Sequence, residues 1–91
     1  MKLVRVIKSP LSSKKYRAEF SDGTHTDFGA SGYEDYTRHK DKKRRESYRS
    51  RHAYDNLGDP KSAGALSYYI LWGESTSLDK NIGDFRTRFK V

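Results

Sequence analysis

The sequence predicts an α+β fold: a small three-stranded antiparallel sheet with about three helices, the first of them strongly basic. Three observations carry this. Residues Lys15–Phe20 alternate, with Tyr16, Ala18 and Phe20 on one face and Lys15, Arg17 and Glu19 on the other. Residues Ala63–Trp72 are apolar nearly all round, the pattern of a buried helix. Leu78, Ile82, Phe85 and Phe89 stand at i, i+4, i+7 and i+11, one narrow helical stripe.

The first strand is Leu3–Lys8, rich in Val and Ile, ending before Ser9-Pro10. The second runs into Ser21-Asp22-Gly23 and the third, Thr24–Phe28, follows. A two-residue Asp22-Gly23 loop would pair Phe20 with His25 and put Asp27 on the apolar face. A three-residue loop with Gly23 left-handed pairs Phe20 with Thr24, Ala18 with Thr26 and Tyr16 with Phe28. It also sets Arg17 opposite Asp27 and Glu19 opposite His25, so the three-residue loop is the expected one.

Gly29-Ala30-Ser31-Gly32 reads as the strand's end. Ser31 with Glu34 has the form of a capping box, with Glu34 and Asp35 suited to a helix start. Thr37 is a rival start, but it would set Arg38 and Lys40 against the helix dipole. From there a single helix is expected to about Tyr54. Asp59 and Pro60 fit the N-cap and first position of the apolar helix, and Gly73 its end. Gly64 inside that helix suggests close packing against a neighbour. The last helix begins near Ser77.

The 91 residues make one domain with a thin core, since Leu, Ile, Val and Phe number sixteen; seven Tyr and one Trp add bulk. The absence of Cys excludes disulfides, a thiolate nucleophile and Cys-ligated zinc. No apolar run approaches the ~20 residues of a bilayer span and no signal-peptide core is present, which points to a soluble, intracellular protein without membrane contact.

Net charge is +7, and residues 38–52 hold eight Lys/Arg against two acids, so almost all of the excess lies there. On one continuous helix Arg38, Lys42, Arg45, Arg49 and His52 fall within about 80° of one another. Lys40, Arg44 and Arg51 form a second stripe. Tyr36, Ser47 and Tyr54 lie between as a weak packing face, with the stem of Lys43 along it, and Tyr48 sits elsewhere. Such a helix has little apolar surface to dock on its own domain, and its cations suit a row of phosphates, where counterion release drives binding. Arg can fork onto phosphate or guanine, and the interleaved Tyr rings can stack on unpaired bases. The competing reading is a solvated helix in which Asp41 and Arg45 form an i,i+4 pair, but the acids are too few to balance the run.

The candidate nucleic-acid-binding residues are therefore Arg38, Lys42, Lys43, Arg44, Arg45, Arg49, Arg51 and His52, with DNA or RNA as partner. The second reading is a virion or host-interaction protein docking an acidic protein surface. The third is a metal-dependent nuclease, since a hairpin followed by a helix has the outline of the ββα nucleases. His25, His39 and His52 show no i,i+3 or i,i+4 spacing, however, and His39 and His52 project to different sides of one helix. No phosphate-cradling Gly loop or nucleophile elbow is present, so no catalytic residue, metal site or cofactor is assigned. Tyr68, Tyr69 and Trp72 read as core.

The blocks FGASGYEDYTRHKD, YRSRH, DPKSAGALSYYILWG and DFRTRF share a specific spacing of Gly, Tyr, His, Asp-Pro and Trp. From Phe28 onward they make the chain resemble a family of small proteins, of undetermined activity, encoded by large double-stranded DNA viruses and some phages. The resemblance implies a viral origin and action in an infected cell or a virion. It supplies no catalytic residues, and suggests that His39, His52 and the AGALS…ILWG block belong to a shared fold or a shared site.

Overall fold

The computed structural model describes residues 1–91. Three antiparallel strands, β1 (Leu3–Lys8), β2 (Lys14–Phe20) and β3 (His25–Ala30), lie in the order β1-β2-β3. The β2–β3 register is the one the three-residue loop requires: Tyr16 faces Phe28, Arg17 Asp27, Ala18 Thr26 and Glu19 His25. Gly23 takes φ +88, and the Phe20 and Thr24 backbones close the loop with a 2.9 Å bond. On the outer face Arg17 forks onto Asp27 at 3.0 and 3.1 Å, and Ser9 Oγ donates to the same carboxylate at 2.7 Å. These donors, Arg17 first, hold the Asp27 carboxyl below its usual range.

Strand β3 continues through Gly29 rather than stopping there. Gly29 is needed because its φ is +80, where a Cβ would also sit 2.8 Å from Leu71 Cδ1. Lys15, expected on the solvent face, instead passes beside Gly29 and pairs with Asp35 at 2.7 Å, both side chains being largely shielded.

The expected continuous basic helix is two helices. The first, α1 (Tyr36–His39), is capped by Asp35, which accepts from the Thr37 N–H at 3.0 Å; the Ser31–Glu34 box does not cap it. Lys40 then turns left-handed at φ 58, and Asp41 caps α2 (Lys42–Arg51) by accepting from the Lys43 and Arg44 N–H groups. The Lys/Arg-rich helix is thus the second, not the first, and it ends at His52 rather than Tyr54. The single-helix wheel that aligned Arg38 with Lys42 fails at this break.

The apolar helix starts at Ser62, whose Oγ accepts from the Ala65 N–H at 3.0 Å, and not at Asp59-Pro60, which form a turn ahead of it. It runs as α3 (Ala63–Leu66) and widens into a π-helical segment, Ser67–Leu71. Gly64 meets only ordinary contact with Asp55, at 3.7 Å; the close approach is at Gly73, where a Cβ would lie 2.3 Å from the Tyr69 carbonyl. Helix α4 (Leu78–Phe89) begins from Ser77 as expected and buries Ile82 and Phe85. These meet Leu66, Ile70 and Leu71 and the sheet's Ala18, Phe20 and Phe28 in one core. No helix is long and apolar enough to cross a membrane.

Candidate functional site

Helix α2 turns one face to its own domain and another to a cleft. Arg45, Tyr48, Arg49 and His52, at i, i+3, i+4 and i+7, form the face turned toward the rest of the domain, with Arg in places where an apolar residue is usual. Arg45 Nε donates to the Gly73 carbonyl at 2.7 Å, and Arg49 Nη1 donates to the Trp72 carbonyl at 2.8 Å. The Arg49 guanidinium also lies 4.1 Å above the Tyr68 ring. The π-helical segment has no basic residue in its own last turn, so these two arginines supply the donors and positive charge that its carbonyl end lacks. Burial lowers the Arg49 pKa, the mark of a guanidinium drawn out of water. Taken from the sequence as nucleic-acid-binding residues, Arg45 and Arg49 are instead fixed within the fold.

Tyr48, expected away from the packing face, is its centre. Its ring lies 4.3 Å from Trp72 at 6° and 4.2 Å from His52 at 29°. Two rings at those separations cannot share one face, so Tyr48 is sandwiched. Burial, with Asp55 as a smaller contributor, raises its phenol pKa. His39 also packs on this cluster, its ring tilted at 56° and 5.2 Å from Trp72. Its Nδ1 accepts the Asp41 N–H at 2.9 Å, which pins the break between α1 and α2, while its buried Nε2 has no hydrogen-bond partner. Because the helix breaks, His39 and His52 do not diverge; they end the row His39–Trp72–Tyr48–His52. Neither Tyr36, which is buried, nor the sandwiched Tyr48 offers a free ring face to a base, whereas Tyr54 is fully exposed.

A second flank of α2, overlapping the first at Tyr48 and His52, borders a cleft of about 690 Å³. Lys43, Ser47 and Arg51 form one row along it, and Arg44, Tyr48 and His52 the next. The opposite wall carries Tyr33, Glu34 and the Lys15–Asp35 pair. Arg44 stands 3.8 Å from Glu34 in an exposed pair of little energetic weight. His52 Nδ1 lies 2.7 Å from Asp55 Oδ2. Of the eight residues singled out in the sequence, Lys43, Arg44, Arg51 and His52 meet at this cleft. Lys42 is exposed beside it, Arg38 sits on α1 against a neighbouring cleft, and Arg45 and Arg49 turn inward. Trp72, Tyr33, Lys15 and Asp35 were not singled out as site residues: Trp72 read as core, Lys15 as a solvent-face strand residue and Asp35 as part of a helix start, and the only available signal for Tyr33 is its place between Gly32 and Glu34. No three His, Cys, Asp or Glu side chains form a group able to hold a metal ion.

Comparison with known proteins gives one family match, over residues 4–52, which takes in the sheet, α1 and α2 and stops short of Trp72. It overlaps the blocks from Phe28 to His52, and the DPKSAGALSYYILWG and DFRTRF blocks lie beyond it. No curated protein and no solved structure matches the chain. On that match, which spans more than half of its residues, the chain belongs to a family of unknown function, DUF5754.

Proposed function

We propose that the protein is a nucleic-acid-binding module, acting by contact rather than catalysis, whose cationic helix α2 engages phosphates. One observation carries the reading: Lys43, Arg44 and Arg51 stand on the wall of a single cleft, with one nearby acid set against Arg44 and the other already neutralised by Lys15. Cations gathered on a concave wall focus positive potential where a polyanion's charges can approach together. Arg38 and Lys42, both exposed, extend that potential beyond the cleft. Arg45 and Arg49 contribute by holding α2 against the Trp72 end, which fixes the helix in place before any partner arrives. The resemblance of the blocks from Phe28 onward to small viral proteins supports setting this activity in an infected cell or a virion.

Three to five neutralised phosphates give a slope of log K against log salt of about −2 to −4.5, at ~0.7 per phosphate on single strands and ~0.9 on duplex. Lys43→Gln/Arg44→Gln/Arg51→Gln should shallow that slope by about two to three, while Lys2→Gln/Lys80→Gln should leave it unchanged. Fluorescence anisotropy of a labelled oligonucleotide between about 50 and 200 mM salt reads both. A triple variant that binds like the parent at every salt would refute the proposal.

A further inference from the structure

A second cleft, of about 870 Å³, adjoins the first and shares with it Lys15, Tyr33 and Glu34. Its other cations are Lys8 at the end of β1, Lys14 at the start of β2, and Arg38. Together the two clefts hold seven Lys/Arg and two carboxylates, and each carboxylate has a cationic partner within the set. The positive surface therefore continues from α2 onto the β1–β2 hairpin, well outside the run of charge visible in the sequence.

Between the two clefts stands Tyr33, 75% exposed and stacked on no other ring. A large aromatic in that position has no packing role to account for it. At the far side of the first cleft His52 has one face against Tyr48, and its side chain is 38% exposed. The row His39–Trp72–Tyr48–His52 braces that ring from behind, so a planar group arriving on its outer face meets a rigid platform. Each cleft lies in the size range of small-molecule pockets, roughly 300–1,000 Å³, room for a splayed nucleotide.

Resting on the phosphate-binding reading above, we infer that the partner is a single-stranded nucleic acid. Its backbone runs from Lys8 and Lys14 past Tyr33 to Lys43, Arg44 and Arg51, with bases stacked on Tyr33 and His52. Base–aromatic stacking of this kind tolerates sequence, because every base has a π-face. The track is built from the β1–β2 hairpin, the segment 31–35 and α2, so it exists only in the folded protein.

The test is binding of a labelled oligothymidine of about 16 nucleotides, a matched duplex and polyglutamate, all at one salt concentration. The parent should bind the single strand at least about tenfold more tightly than the duplex. Tyr33→Ala should weaken single-strand binding by about five- to a hundredfold and leave duplex binding and melting temperature unchanged, with Tyr33→Phe restoring the affinity. Lys8→Gln/Lys14→Gln should shallow the single-strand salt slope by about 1.4. Equal affinity for duplex, or a Tyr33→Ala protein that binds like the parent, overturns the single-strand track. The broader reading survives that result if the Lys43, Arg44 and Arg51 substitutions still weaken duplex binding. Polyglutamate bound as tightly as nucleic acid, or no binding to either nucleic acid, overturns both.

Discussion

Replacing Arg49 with Met keeps an unbranched apolar stem of similar reach and removes only the guanidinium. What is lost can be worked from the geometry. The 2.8 Å bond to the Trp72 carbonyl is charge-assisted and contributes about 1.5–3 kcal/mol. The position 4.1 Å above the Tyr68 ring adds about 0.5–1 kcal/mol. Desolvation of the guanidinium, visible in its lowered pKa, offsets part of this gain. A net cost of about 2–3 kcal/mol remains, and at ~4–8 °C per kcal/mol for a domain of this size it lowers the melting temperature by about 10–20 °C. Arg51→Met, on the exposed side of the same helix, should stay within about 0.5 kcal/mol of the parent. Circular dichroism melts of the two variants decide the matter. Equal melting temperatures for Arg49→Met and Arg51→Met would refute the assignment of Arg49 as a structural donor to the carbonyl end of the apolar helix.

Asn81 is fully buried, donating to the Ile70 and Ser75 carbonyls at 2.8 Å and accepting from the Ser75 N–H at 3.0 Å. Asn81→Ala should destabilise by about 2–4 kcal/mol in urea unfolding, because it leaves buried backbone groups unpaired; a change below about 1 kcal/mol would contradict this. Gly23→Val should cost about 1–2 kcal/mol, all of it backbone strain at φ +88, since nothing lies within 4 Å of the site. Gly23→Asn should cost much less, and a hairpin indifferent to Val would refute the left-handed turn. Asp27, held low chiefly by Arg17, and Asp22, held low chiefly by the Lys61 hydrogen bond and then Thr24, have folded pKa values below their unfolded ones. Their stabilising contribution is therefore complete above the unfolded value of about 3.9 and disappears as pH falls through the folded values. Asp22→Asn/Asp27→Asn should flatten the fall of melting temperature below about pH 4, and parallel curves for variant and parent would contradict that.

The sheet was legible because two constraints agreed. The loop needed Gly23 at positive φ, and only the resulting register put Arg17 opposite Asp27 and Glu19 opposite His25. The stripe of α4 was legible from its periodicity, although Asn81 was invisible to it: a polar residue counts as core only when backbone carbonyls converge on it. The break at Lys40 was hidden for a related reason. Lys and Arg favour helix on both sides, and the signal for a new start, Asp41, stood inside a charge run where it read as an ion-pair partner. That break detached Arg38 and Tyr36 from the wheel, whereas Tyr48 and the two inward arginines lie wholly within α2 and were misplaced because the basic stripe was taken for the solvent face. Arg45 and Arg49 could have been suspected from another direction, since an apolar segment ending without its own basic residue must find donors elsewhere. The second cleft was beyond reach, because Lys8, Lys14 and Arg38 converge only through tertiary structure.

The measurement that bears most directly on the central claim is a ¹⁵N-resolved NMR titration of the protein with a short oligonucleotide. Shift changes should concentrate in the backbone amides of Ala30–Asp35 and Lys43–His52, which border the cleft on its two sides. The Arg45 and Arg49 side-chain Nε–H signals should move little, since both guanidinium groups are already committed to the fold. The outer face of α4, around Asp79, Gly83 and Thr87, should stay unperturbed. Changes centred on α4, or large shifts of the Arg45 and Arg49 side chains with none at Tyr33, Lys43 or Arg44, would contradict the account.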